Sequence, residues 1–348
     1  MKEIKIIVDN LSIKGGVESV VTSVANGLAI RGYNVTIVCV KKCIPLFDIN
    51  DRVKIEYLTN GASKYKKYIA LISYYRKKIL AGDILYTNSV ANSVLAIFCV
   101  PKNASIYACD HNKYSAVGKI WSSLRFLLYR KINGIIVLTK HDLEKYLRIN
   151  KNSKVFDNPV DTCFFNNDGN RTHISQKYIL NIGRLELQKG QDLLINAWNL
   201  VEKKGFELWI CGEGSQRYHL EQQVKTLGLA SSVKFLGNRN DIDLLLNGAY
   251  CNVLSSRFEG KPLSLIEAKV AGCPNVSFDC ETGPSEIIKD RFDGLLIAEG
   301  NVAELAKGLQ YLIDNPKIRN SYAKNSRADN EKYSIKRVCD EYIRFFKV

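Results

Sequence analysis

Two glutamates in the stretch 251–278, CNVLSSRFEGKPLSLIEAKVAGCPNVSF, are spaced for chemistry. Cys251 to Leu254 reads as a short buried strand, and Ser255 to Lys261 as a polar turn. Pro262 suits the first position of a helix, and Leu263, Leu265, Ile266 and Ala268 keep helical spacing. Gly272 ends that helix, and Pro274 to Phe278 reads as the next strand. Glu259 then lies in the turn and Glu267 in the second helical turn. Both face the space beyond a strand's carboxyl end, where open α/β sheets bind ligands. The backbone from Gly260 through Lys261, Pro262, Leu263 and Ser264 brings amide groups to a helix start, a place that favours an anion.

Two cations complement these acids. Arg184 and Lys189 fall in the loop GRLELQKG after a second strand, 178–182, placed to hold a diphosphate. Gly15-Gly16 follows the first strand and lets backbone approach a bound group at a helix start. His111 follows the strand 105–109 and so sits at its carboxyl end. A metal reading finds little. Asp241-Ile242-Asp243 is best explained as acids in a first helical turn. Ten cysteines are scattered without C-x-x-C spacing, which suggests buried free thiols in a reducing compartment.

The elements that must position these groups form a repeating pattern. Glu3 to Asp9, a glycine-bearing loop, a helix ending near Gly32 and the strand 35–40 make a βαβ unit and a parallel sheet. Strands follow at 53–58, 83–87, 105–109 and 134–138, with a last short one within 154–161. Residues 166–176, NNDGNRTHISQ, read as a linker. The pattern then restarts with strands at 178–182, 206–211 and 233–236, and helices fill 301–314, 316–328 and 334–346. Two α/β domains are therefore expected, 1–165 and 166–333. With 348 residues and 46% hydrophobic content, the chain is long enough for both. The N-terminal stretch has no signal core, and no run approaches a membrane span.

These phrases together resemble the retaining glycosyltransferases of family 4 with the GT-B fold. The E-x7-E signature is matched by Ser256, Glu259, Gly260, Pro262, Leu263, Leu265, Ile266, Glu267, Ala268, Gly272 and Pro274. G-R-L-x-x-x-K-G matches the family's diphosphate clamp, and the Gly15-Gly16 loop its N-terminal G-G-x-E loop. G-P-S-E-I-I at 283–288 is similar to members that assemble bacterial lipopolysaccharide, capsule or exopolysaccharide. The resemblance implies two Rossmann-like domains facing across a cleft, with the last helix, 334–346, returning to the first. It implies retaining transfer of a hexose or N-acetylhexosamine from a nucleotide diphosphate sugar, UDP or GDP, to a glycan or lipid-linked glycan. Glu259 and His111 would approach the donor sugar, Glu267 the ribose, and Asn238 and Arg239 the base. Arg184 and Lys189 would stabilise the leaving diphosphate, so no metal or other cofactor is expected. Lys261 stands where many relatives have Phe or Leu. A sugar-nucleotide epimerase on the same fold is the alternative among enzymes, and a basic nucleic-acid-binding protein the alternative from another class.

The charge is uneven. Residues 1–165 carry 25 Lys+Arg against 12 Asp+Glu, whereas residues 166–348 carry 25 against 23. Two basic segments interleaved with aromatics, Lys64–Ile79 and Lys113–Ile132, lie in the basic half. They suit an anionic bilayer surface, nucleic acid, or a solvated helix face. Lipid-linked acceptors favour the first, and place the protein in the cytoplasm, peripheral on the inner face of the cytoplasmic membrane, with no nucleic-acid partner.

Overall fold

A computed structural model describes residues 2–13, 15–61, 63–111, 113–165 and 176–348, so the expected linker falls outside them except for Gln176. The chain divides into two compact units, one of Met1–Pro159 with Ser334–Val348 and one of Val160–Tyr333.

The first unit is built on seven parallel strands. They are β1 (Glu3–Val8), β2 (Asn34–Lys41), β3 (Val53–Thr59), β4 (Ile84–Thr87), β5 (Ser105–Cys109), β6 (Gly134–Val137) and β7 (Ser153–Val155). Their order across the sheet is β3-β2-β1-β4-β5-β6-β7. Its helices are α1 (Gly16–Ile30), α2 (Lys64–Lys78), α3 (Val90–Cys99), α4 (Lys119–Leu128) and α5 (Lys140–Leu147). Helix α1 buries Val20, Val21, Val24, Ala25 and Leu28, a 3–4 spacing that gives it one apolar face. Helices α2, α3 and α4 cover the opposite face of the sheet through Leu71, Tyr75, Val94 and Leu124.

The second unit holds β8 (Lys177–Ile182), β9 (Phe206–Cys211), β10 (Val233–Gly237), β11 (Asn252–Leu254), β12 (Asn275–Asp279) and β13 (Gly294–Ala298), in the order β10-β9-β8-β11-β12-β13. All are parallel. Its helices are α6 (Gln191–Leu200), α7 (Arg217–Thr226), α8 (Ile242–Gly248), α9 (Leu263–Ala271), α10 (Pro284–Ile287), α11 (Val302–Asp314) and α12 (Pro316–Ser326). The last helix, α13 (Ile335–Phe346), belongs to the first unit. It buries Val338, Cys339, Tyr342, Phe345 and Phe346 in the core that α1 shares.

In each sheet the strand order reverses once, between β1 and β4 in the first and between β8 and β11 in the second. Loops leaving the carboxyl ends of strands flanking such a point diverge and leave a crevice. The loops carrying Gly15 and Gly16, and those carrying Arg184, Lys189 and Glu259, leave these four strands or their neighbours.

Three expectations are corrected. The helix read over Lys113–Ile132 is broken. A 3-10 turn at Tyr114–Ala116 ends in extended backbone at Val117 and Gly118, α4 follows, and Tyr129–Lys131 is a second 3-10 turn. Pro262 is the residue before α9, with φ −67° and ψ 114°, because its extended backbone carries the turn into the helix. The strand read within 154–161 covers only Ser153–Val155, since the chain then leaves toward Pro159, which has no N–H to give a ladder. All ten cysteines are free.

Candidate functional site

The second unit gathers most of the chemistry. The loop after β8 runs from Gly183 through a single 3-10 turn, Leu187–Lys189, to Gly190, which starts α6 in the left-handed region at φ 63°. A Cβ on Gly190 would collide with the carbonyl oxygen of Ser255. Glycine is thus required twice over, by conformation and by contact. That contact presses the 183–190 loop against the 255–262 loop after β11. Side chains knit the two together. Arg257 donates to the Leu187 carbonyl at 2.7 Å and grips Asp192 with both terminal nitrogens, at 2.8 and 2.6 Å. Gln188 Nε2 donates to the Phe258 carbonyl at 3.0 Å, and Ser255 Oγ to the Lys189 carbonyl at 3.1 Å.

This frame places Lys189 Nζ 2.6 Å from Glu259 Oε1, which also accepts from Ser256 Oγ at 2.6 Å. Thr282, from the loop after β12, donates to the Glu259 carbonyl. Glu259 is buried, and its cation keeps the charge tolerable there. An ammonium has three donors, so Lys189 can serve Glu259 and an anion together. Arg184 is exposed and on the same loop, and its guanidinium has no hydrogen bond among the described residues. Its backbone is fixed instead by Gln191, which donates to the Arg184 carbonyl at 3.2 Å.

Glu267 projects from the second turn of α9, and its carboxyl has no hydrogen-bond partner among the described residues. Burial, and then the negative charge of Asp161, push it up to about 7. Asn238 and Arg239 follow β10 and are exposed. Arg239 holds Asp241 through two bonds, of 2.9 and 2.6 Å. Asp241 therefore serves an arginine, and no cluster of three metal-ligating side chains occurs among the described residues. Gly260, Lys261, Pro262, Leu263 and Ser264 form the entry to α9. Gly283, at φ 98°, is packed against the Gly260 carbonyl and supports that entry from the β12 side.

In the first unit, Gly15 precedes α1 in extended backbone and Gly16 opens the helix. His111 follows β5. Its Nε2 lies 2.8 Å from Oδ1 of Asn88, which follows β4. Burial of the ring pushes the imidazole down to about 4. The neighbouring Asp110 carboxylate is wholly engaged elsewhere, with Tyr146 at 2.7 Å, Tyr129 at 3.0 Å and Arg125 at 3.5 Å. Arg125 also donates to the Tyr114 carbonyl at 2.8 Å and stacks 3.7 Å over the Tyr114 ring. Asp110 and Tyr114 are thereby both held by α4.

The structure joins Lys189 to Glu259 and leaves Arg184, Glu267, Asn238 and Arg239 as separate groups on the same end of one sheet. Sequence reasoning missed Asn88 and the Asp192–Arg257 pair. Asn88 carries a signal, as a polar residue directly after a buried strand. The Asp192–Arg257 pair spans two distant segments, and nothing in their spacing marks it.

The chain is similar to known glycosyltransferases. Residues 167–329 match the family model of glycosyl transferases group 1. The chain is 26% identical to the amylovoran biosynthesis glycosyltransferase AmsD of Erwinia amylovora, over 98% of this chain and 99% of that one. It is also 26% identical, over 99% and 98%, to a Campylobacter jejuni α-1,4-N-acetyl-D-galactosaminyltransferase whose name gives a diphospho-undecaprenol-linked glycan as substrate. Among solved structures, the fold is similar to that of a mutant of TarM from S. aureus in complex with fondaparinux, α-GlcNAc-glycerol and UDP. Both chains are covered completely, with a TM-score of 0.84 and 19% identity.

Proposed function

The chain carries the group 1 glycosyltransferase domain of polysaccharide biosynthesis on a GT-B fold, and from that premise we propose that it moves a hexose or N-acetylhexosamine from a nucleotide diphosphate sugar, UDP before GDP, onto a lipid-linked glycan, with retention at the anomeric carbon. The observation that carries this is the Lys189–Glu259–Ser256 cluster at the strand-order reversal of the second sheet, with Arg184 on the same loop.

Breaking the glycosidic bond puts negative charge on the departing diphosphate. Arg184, Lys189 and the amides entering α9 lie where preorganised donors stabilise such charge. Glu259 already accepts through Oε1, and its other oxygen is available for a sugar hydroxyl. One carboxylate also steadies positive charge developing at the anomeric carbon. Glu267, with no hydrogen-bond partner among the described residues, suits the two ribose hydroxyls. The acceptor hydroxyl would attack on the face the diphosphate leaves from and pass its proton to that phosphate. Protein cations take the role that a divalent ion has in other transferases, so activity is expected without metal. The UDP in the TarM complex and the lipid-linked substrate of the Campylobacter enzyme support the choice of donor and acceptor.

The test is nucleotide release from a panel of UDP- and GDP-sugars, with and without a polyprenyl-diphosphate-linked glycan, in EDTA. Release dependent on acceptor, and an α-configured product from an α-configured donor, are the expected results. Silence across the panel overturns the transferase reading. Loss in EDTA restored by Mn²⁺ overturns metal independence.

A further inference from the structure

Among the described residues the ring of His111 meets one side chain through a nitrogen, and that contact determines which nitrogen is protonated. Asn88 follows Thr87, the β4 residue paired with Ile7 of β1. Its Nδ2 lies 3.0 Å from the Ile7 carbonyl oxygen. A carbonyl only accepts, so the amide must turn its NH₂ group there. Oδ1 is then the atom facing His111, at 2.8 Å from Nε2. An amide oxygen also only accepts, so Nε2 must carry the proton. A neutral imidazole has one N–H, which leaves Nδ1 a bare acceptor. Among the described residues Nδ1 has no hydrogen-bond partner.

We propose that Asn88 is a positioning residue: its amide, oriented by the Ile7 carbonyl, locks His111 as the Nε2–H tautomer, so that Nδ1 presents a lone pair to a substrate hydroxyl. The identity of that hydroxyl rests on the transferase reading, whereas the tautomer does not. The surroundings keep the ring neutral. The carboxylates on elements packed around it are already matched, Asp9 with Lys67 at 2.6 Å and Asp110 with Arg125, Tyr129 and Tyr146. Neither draws a second proton onto the ring, and burial disfavours the imidazolium. Arg125 holds both Asp110, the residue before the ring, and the Tyr114 carbonyl.

This differs from a histidine acting as a proton carrier. A ring locked in one neutral form recognises a donor hydroxyl but shuttles no proton at neutral pH. It also tells two substrate groups apart, because a bare Nδ1 accepts from O–H and repels a carboxylate or phosphate oxygen.

The experiment is ¹⁵N–¹H correlation on histidine-labelled full-length protein, with the His111 signals assigned from their loss in His111→Gln. The expected spectrum at neutral pH is that of a neutral ring protonated at Nε2. Asn88→Ala should mix the tautomers and cut turnover about tenfold, the worth of one hydrogen bond. Asn88→Asp preserves size and an acceptor but favours the imidazolium. It should raise the titration of His111 and give a turnover at saturating donor that falls on acidification, where that of the wild type stays flat. A wild-type ring protonated at Nδ1, or an Asn88→Ala spectrum identical to wild type, overturns the proposal. The spectra need no substrate. A protein that shows the tautomer but releases nucleotide from no sugar donor would discard the transferase reading alone.

Discussion

Arg184 and Lys189 share a loop, but their situations differ, and substitution should separate them. Arg184 is exposed and its guanidinium makes no hydrogen bond among the described residues, so Arg184→Ala should leave thermal unfolding unchanged. It should lower kcat/KM by about 2 kcal/mol of lost transition-state stabilisation. Lys189 also neutralises the buried Glu259. Lys189→Ala should show the same kinetic loss and a lower melting temperature, because Glu259 keeps only Ser256 as a donor. Kinetics and melting curves on the two variants check both points, and wild-type kcat/KM in each would discard the clamp. Glu267 gives a pH dependence. Its folded value, about 7, lies above the ordinary carboxyl value of 4.5. The folded state thus holds an extra proton between those values. Stability from this group is full below about 4.5 and is lost as pH rises through about 7. Glu267→Gln should therefore melt above wild type at pH 8, and the two should converge by pH 5. Donor binding should run the opposite way, since the ionised carboxylate is the better acceptor for ribose. KM for the donor should fall from pH 6 to 8 in the wild type and stay flat in the variant.

At the scale of elements, the site depends on two loops that touch through backbone. Gly190→Ala would force a Cβ into the Ser255 carbonyl at a positive φ. A loss of about 2 kcal/mol or more in unfolding stability is expected, together with lost activity, since Lys189 and Glu259 would be pushed apart. Chemical denaturation measures the first and nucleotide release the second. Much of this frame was legible. The strand–loop–helix repeats followed from apolar runs bounded by glycine, and the helix ending at Gly272 closes in the left-handed region, at φ 75°. The break in the Lys113–Ile132 segment was not legible. Its basic and aromatic residues keep a helix-like spacing throughout, whereas Arg125 and Tyr129 turn inward onto Asp110 and Tyr114 opens a separate turn. A buried arginine whose terminal nitrogens are held by Asp110, Tyr146 and the Tyr114 carbonyl leaves no trace in local periodicity. The pairing of Asn88 with His111 was hidden for the same reason. It is made by single residues just past the ends of two paired strands, with helix α3 between them in the chain.

For the whole molecule, the question is what the excess positive charge of the first 165 residues faces. From Asn60 to His141 the only acids are Asp83 and Asp110. Both are buried and paired, Asp83 with Lys5 at 2.7 Å and Asp110 with Arg125. The outer face of the α2–α3–α4 layer therefore exposes no carboxylate. It exposes Lys66, Lys77 and Lys78 on α2 and Lys119, Arg130 and Lys131 on and after α4. Among them stand Tyr65, Ile69, Ile120, Phe126 and Leu127, with Ile120 76% and Tyr65 81% exposed. Lys67 does not belong to this set, although the sequence places it there. Its ammonium is bound to Asp9 at 2.6 Å. No helix among the described residues is long and apolar enough to cross a membrane. A basic face with aliphatic as well as aromatic side chains standing out of it fits the headgroup layer of an anionic bilayer, whereas a DNA duplex backbone would call for the charge alone. Each cation near such a surface contributes about 1 kcal/mol. Replacing Lys66, Lys77 and Lys78 by Gln should therefore weaken partition into anionic vesicles about a hundredfold. Replacing Ile120, Phe126 and Leu127 by Ser should weaken it at high salt, where the electrostatic part is already screened. Acceptor-independent donor hydrolysis should be untouched by either set, because Glu259, Lys189 and Arg184 lie in the other unit. Co-sedimentation with anionic and neutral vesicles, beside a duplex-DNA competitor, decides the matter. Equal recovery with both vesicle types, or displacement from vesicles by DNA at matched charge, would assign the face to another partner.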